Sequence, residues 1–207
     1  MSFLKAQWTQ LREFCAGDYR GELRRGAAAF AVLVVIGFVV CLLFPQLLEQ
    51  LTQWILALFD RLNVLDDSGR ISVAAVLGNN LRACALCILY GLIPFVYLSA
   101  LTLGLNALLL GVLAAYYLHS GQSLLLYAVS LLPHGIFELP ALVLSFSLGL
   151  YLCGQVTRRC RGGEDAPSVR LALTGALRVF CMLIVPLLAA ASVVEARITP
   201  AILSLFS

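Results

Sequence analysis

Apolar residues in this chain come in long runs separated by short charged belts, and the runs have the length of membrane spans rather than the period of a soluble core. Residues 1–26 are polar, with Trp8, Leu11 and Phe14 at helical spacing among charged neighbours, which predicts an amphipathic helical arm on the membrane surface. Ala27–Phe44 follows as an unbroken apolar run ended by Pro45, long enough to cross about 30 Å of hydrocarbon. From Gln46 to Asp60 apolar Leu47, Leu48, Leu51, Trp54, Ile55 and Phe59 alternate at helical period with Gln46, Glu49, Gln50 and Gln53, the pattern of an interfacial helix. Arg61–Arg70 reads as a polar loop with Asp66-Asp67-Ser68-Gly69 as its turn.

Ile71–Leu118 carries one charge and is long enough for two spans of about 20 residues, joined near Gly91 and Pro94. Leu124–Val156 is too long for one straight span, and Pro133-His134-Gly135 predicts a break into a half-helix and a full span. A last span is expected over about residues 171–194, with Arg178 snorkelling from near its start. The expected architecture is an all-α, polytopic bundle of five spans, at about 27–44, 71–91, 96–118, 124–156 and 171–194, forming one transmembrane domain over 27–207 behind the arm at 1–26.

Composition agrees with the pattern. Hydrophobic residues make up 61% of the 207 and charged residues 12%, against about 25% charged in a soluble domain. The net charge of +3 and the absence of a Lys/Arg stripe exclude a nucleic-acid partner. Seven cysteines are an odd number lying mostly in apolar runs, so no disulfide framework is expected. The first 26 residues lack the apolar core and cleavage site of a secretory signal, so the first span is expected to remain in the mature chain. The arm holds five basic residues, and the Thr157–Arg170 segment holds Arg158, Arg159, Arg161 and Arg170. With five spans both fall on one face, which the excess of basic residues marks as cytoplasmic, leaving Arg61–Arg70 and the carboxyl terminus outside.

Charged and amide groups inside a bilayer mark site candidates, because each needs a partner or water. The first candidates are Asn79, Asn80 and Arg82, within about one helical turn of each other; Arg82 has the alternative of snorkelling to the interface. Asn106 beside Gly104 fits an interhelical hydrogen bond. His134 and Glu138 stand four apart, so a helix puts both on one face, where they can share a proton or a cation. Two donors fall short of the three or four a metal needs, and no third lies near in sequence, so no metal site and no cofactor are expected. Glu195 has two readings, solvated beside Arg197 or folded inward where Pro200 ends the helix and the apolar tail Ala201–Phe206 re-enters the membrane. His119, in a short turn at the outer interface, is expected to be solvated. Gly-rich phosphate loops, His-Glu-x-x-His and Gly-x-Ser-x-Gly do not occur in the sequence, and Cys84-x-x-Cys87 is one pair without a second, so no catalytic residue is assigned.

Taken in order, Leu77-Gly78-Asn79-Asn80-Leu81-Arg82 with Gly91, Leu105-Asn106 with Gly111, Leu132-Pro133-His134-Gly135-Ile136-Phe137-Glu138-Leu139-Pro140-Ala141 with Gly149, and Val194-Glu195 with Thr199-Pro200 resemble the stage II sporulation protein M family over roughly residues 70–200. The Pro-His-Gly-x-Phe-Glu-Leu-Pro stretch is the most specific part; the first span and Gln46–Arg70 contribute nothing to the likeness. The resemblance implies a five-span protein of the bacterial inner membrane. Members in spore formers act in engulfment, where they hold peptidoglycan-degrading partners at the septal membrane; many others occur in non-sporulating organisms. No catalytic residue is carried over. The expected function is therefore a non-enzymatic membrane scaffold, with a transporter or permease-like component, built around the broken helix, as the alternative. Small residues at Gly104 and Gly111, and at Gly149 and Gly154, add the expectation of a homodimer.

Single cysteines introduced at positions 67 and 162 of a cysteine-depleted chain test the orientation. An impermeant maleimide applied to intact cells should label position 67 and leave position 162 unlabelled, and the reverse pattern would invert the topology.

Overall fold

The computed structural model describes residues 3–17, 19–59, 72–162 and 168–203, and among these the regular structure is helical with no strand. In chain order the helices are α1 (Phe3–Ala16), α2 (Tyr19–Leu43), α3 (Pro45–Phe59), α4 (Val73–Tyr90), α5 (Leu98–His119), α6 (Leu124–Cys160), α7 (Val169–Val179), α8 (Val185–Val193) and α9 (Thr199–Leu203). Helices α2, α4, α5 and α6, together with the continuous stretch Val169–Ile202, are long and apolar enough to cross a membrane, which gives the five spans in the expected order. The Arg61–Arg70 loop, positions 163–167 of the basic loop and positions 204–206 of the apolar tail lie outside the described residues.

The first span starts earlier than the apolar run does. Gly17 ends α1, and from Tyr19 the chain is helical straight through the charged stretch, where Arg25 pairs with Glu22 one turn away at 2.5 Å. On α2, Val32, Val35, Ile36, Val39, Leu42 and Leu43 face outward while Gly26, Phe30, Gly37 and Cys41 face inward, the division a lipid-facing helix needs. Pro45 stops α2 and opens α3, whose buried Leu48 and Ile55 pack on Cys41 of α2 and on Val112 and Ala115 of α5.

The arm does not simply lie on the bundle surface. Leu11 is buried, Phe14 stacks on Tyr19 at 5.3 Å and meets Tyr151 of α6 edge-on at 5.4 Å, and a Cβ at Gly175 of α7 would collide with the Phe14 ring. Arg178 Nε donates to Gln7 Oε1 at 2.8 Å, so the basic residue expected to snorkel is instead tied to the arm.

Helix α6 is the axis of the bundle, packed against α2, α4, α5, α7 and α8. It corrects one expectation: the chain does not break at Pro133–Gly135, and α6 stays helical through both Pro133 and Pro140. A proline removes one ladder hydrogen bond, and a long helix held by neighbours on several sides absorbs that loss. Prolines disturb the last span instead. A π-helical turn, Phe180–Ile184, closes with Val185 N–H donating to Phe180 C=O, and a second, Val194–Ile198, closes with Thr199 N–H donating to Val194 C=O. Pro186 and Pro200 follow each closing residue directly, and the wider turn relieves the clash of the ring with the carbonyl four residues back.

Of the four glycines behind the dimer expectation, three have contacts inside one chain. Gly111 lets α5 approach the backbone of α2 at Val34 and Phe38, Gly104 faces Leu33, and Gly149 meets the Cys87 carbonyl and Ser99; of the four, Gly154 is open. A Cβ on Gly91 would stand 2.8 Å from the Gly149 Cα, so the end of α4 and the middle of α6 touch through bare backbone. Beside that contact Ser145 Oγ donates to the Cys84 carbonyl at 2.6 Å and Ser99 Oγ to the Cys87 carbonyl at 2.7 Å.

Gly149→Ala should lower stability by about 1–3 kcal/mol, because its new methyl meets a backbone carbonyl that cannot yield. Gly154→Ala, with nothing within 4 Å of the new Cβ, should be neutral or stabilise by about 0.5–1 kcal/mol. Unfolding of both variants in mixed detergent micelles reads the difference.

Candidate functional site

The constellation begins on α6. Its uninterrupted helix carries His134 and Glu138 on one face, about 15 and 21 Å along the helix from Leu124 at 1.5 Å per residue. The last span crosses this face, and its second π turn presents Glu195, with Thr199 beginning α9 immediately after. One donor atom from each of His134, Glu138 and Glu195 lies within 4.8 Å of the other two, and all three side chains are half-buried. Among the described residues no lysine or arginine pairs with either carboxylate.

Thr199 connects the two elements. Its Oγ1 donates to the Val194 carbonyl at 3.3 Å, inside the π turn, and stands 3.3 Å from His134 Nδ1. With its hydroxyl proton on Val194, Oγ1 accepts from a protonated Nδ1; with Nδ1 bare, the hydroxyl donates to it instead, so the tautomer of His134 sets the direction of this bond. The π turn thus carries Glu195 and places Thr199 beside the imidazole opposite.

Of the remaining sequence candidates, Arg82 is exposed, in keeping with snorkelling, and Asn79 and Asn80 are half-buried on α4. Asn106 donates to the Thr102 carbonyl one turn back on its own helix at 2.9 Å instead of bridging to another span. His119 ends α5 in an exposed position. Glu195 is half-buried and turned inward, with Arg197 exposed and not paired with it, but the helix does not end at Pro200 as expected: α9 carries it on through Leu203. The polar group within hydrogen-bonding distance of His134 is Thr199.

Several interior polar residues escaped the sequence reading. Tyr19 Oη donates to the Leu144 carbonyl, Tyr127 Oη to the Leu110 carbonyl, and Thr157 Oγ1 accepts from the Phe95 amide, each at 2.9 Å. Gln155 is buried with neither end of its amide bonded to a described residue. Hydroxyls and a single amide within apolar runs are common enough that nothing in their spacing set these apart, although Gln155 near the end of a run is the kind of residue that intramembrane polarity singles out.

No curated protein and no solved structure shows significant similarity to the chain. A sequence model of one family does match, over residues 26–200, and so takes in the first span and the interfacial helix that carried none of the resemblance. With an ordered set of five spans, the His134–Glu138 face on α6 and Glu195 brought to it, the chain belongs to the stage II sporulation protein M family.

Proposed function

We propose that this chain is a non-enzymatic integral membrane scaffold of the bacterial cytoplasmic (inner) membrane, with its amino terminus in the cytoplasm, that holds envelope proteins, peptidoglycan-degrading enzymes among them, in place. Membership of a family named for sporulation supports a sporulation-related membrane role at the coarse level. The observation that carries the scaffold reading is how the interior hydroxyls are used. Ser99, Ser145, Tyr19 and Tyr127 all donate to backbone carbonyls within the bundle, which fixes helices to one another instead of lining a path for solute. The transporter alternative drew on a helix broken at Pro133–Gly135, and α6 is continuous there.

Capture of the tagged full-length chain from crosslinked native membranes should recover envelope proteins, peptidoglycan-degrading enzymes among them, well above the level retained by an unrelated five-span control. The same purified chain in proteoliposomes should conduct no solute. Recovery at the control level, or solute flux by the chain alone, would overturn the reading.

A further inference from the structure

We propose that His134, Glu138 and Glu195 form a binding site for a divalent transition-metal ion, with zinc as the ion its donors suit best, and that the ion joins α6 to the last span. The inference stands apart from the scaffold reading, because a chain that binds no ion can still hold partners.

Four observations converge on it. The donor set comes from two separate spans, two ligands on one turn of α6 and a third from the last span, so an ion here adds a link between elements that otherwise meet through packing and the His134–Thr199 hydrogen bond. The spacing is close to that of a bound site: three donors within 4.8 Å of one another lie no more than about 2.8 Å from a common centre, so a closure of at most about 0.7 Å each reaches the roughly 2.0–2.2 Å bonds of zinc to imidazole and carboxylate. The chemistry is mixed nitrogen and oxygen, with one imidazole and two carboxylates, which favours zinc over calcium or magnesium; those prefer all-oxygen shells. Finally, the surroundings leave the carboxylates in want of a cation, since two acidic groups this close inside an apolar bundle have no lysine or arginine partner among the described residues.

The ligand geometry is prepared by residues around it. With an ion on Nε2, His134 Nδ1 carries the proton and donates to the Thr199 Oγ1 that stands 3.3 Å away, the outer-shell arrangement that orients metal-binding histidines. The Thr199 hydroxyl is held in turn by Val194, inside a π turn that exists because Pro200 follows. A π turn adds one residue to the helical circuit, and such insertions recur where a helix must aim a functional side chain. Three protein donors leave at least one coordination position for water.

The test uses the purified full-length chain in nanodiscs, stripped of metal by chelator and titrated with Co2+ as a spectroscopic probe and with Zn2+ as competitor. Expected is one Co2+ per chain, with absorption bands of nitrogen and oxygen ligation, no thiolate charge-transfer band, and displacement by Zn2+. The absence of that band matters because the chain has free cysteines. Zn2+ should also raise the thermal unfolding midpoint of the unsubstituted chain, since an ion bound by the folded state alone stabilises it. Glu195→Gln should keep the metal-free unfolding midpoint and lose the zinc-induced rise, and Thr199→Val should weaken zinc binding by about 10–100-fold with the stoichiometry unchanged. No stabilisation by zinc in the unsubstituted chain, a thiolate band, or full binding retained in Glu195→Gln would each overturn the site; the first two read out even if a variant fails to fold. In that event the cluster is a dry one held by shared protons.

Discussion

In hydrocarbon, leucine gains nothing by leaving lipid for another leucine, so the helices of this chain are held by what lipid cannot offer: close approach of bare backbone, and hydroxyls that find carbonyls on another helix. The seam between α4 and α6 shows both. Gly91 and Gly149 bring the two backbones into contact, and Ser145 reaches Cys84 across the gap while Ser99 closes the Cys87 carbonyl from the start of α5. Because α6 touches nearly every other element, the depth and tilt fixed at this seam are inherited by the rest of the bundle, including the face that carries His134 and Glu138.

The span count was legible in the sequence because length and charge placement report directly on a solvent with one thickness. The details that failed are those where a local rule met tertiary context. Pro133 has the signature of a break and Pro200 that of a helix end, yet the chain stays helical through both; at Pro186 and Pro200 the preceding turns widened instead. The candidate site was half legible. His134 and Glu138 share a face by simple helical arithmetic, but Glu195 belongs to a span whose phase is shifted by two extra-residue turns, so no periodicity counted along the sequence says which way it points. The glycines are ambiguous for a related reason: their spacing reveals where backbones can approach, and says nothing about whether the partner is the same chain or a second copy.

The amino-terminal arm is more integral to the fold than its polarity suggested. Phe14, Tyr19 and Tyr151 form a ring cluster that joins α1, α2 and α6, and the arm is tied a second time through Gln7 to Arg178. The turn between α4 and α5 is bound to the same end of α6 through Cys153 and Thr157, and it holds Phe95 and Tyr97 in the left-handed region at φ of 67° and 49°. Such backbone is uncommon outside glycine and persists where its surroundings dictate it.

These attachments bear on how the protein meets its bilayer. With 18 residues α4 reaches about 27 Å, while the 37 residues of α6 reach about 55 Å, far more than a hydrocarbon layer of about 30 Å. A helix that long overhangs, and overhang is normally absorbed by tilting or by deforming the surrounding lipid. Here the surplus at its carboxyl end is wrapped by the chain itself, by the arm on one side and by the Gly91–Tyr97 turn on another. The two form a collar around that end of α6, gripping it at Tyr151, Cys153 and Thr157, so length in excess of a span is covered by the protein's own chain.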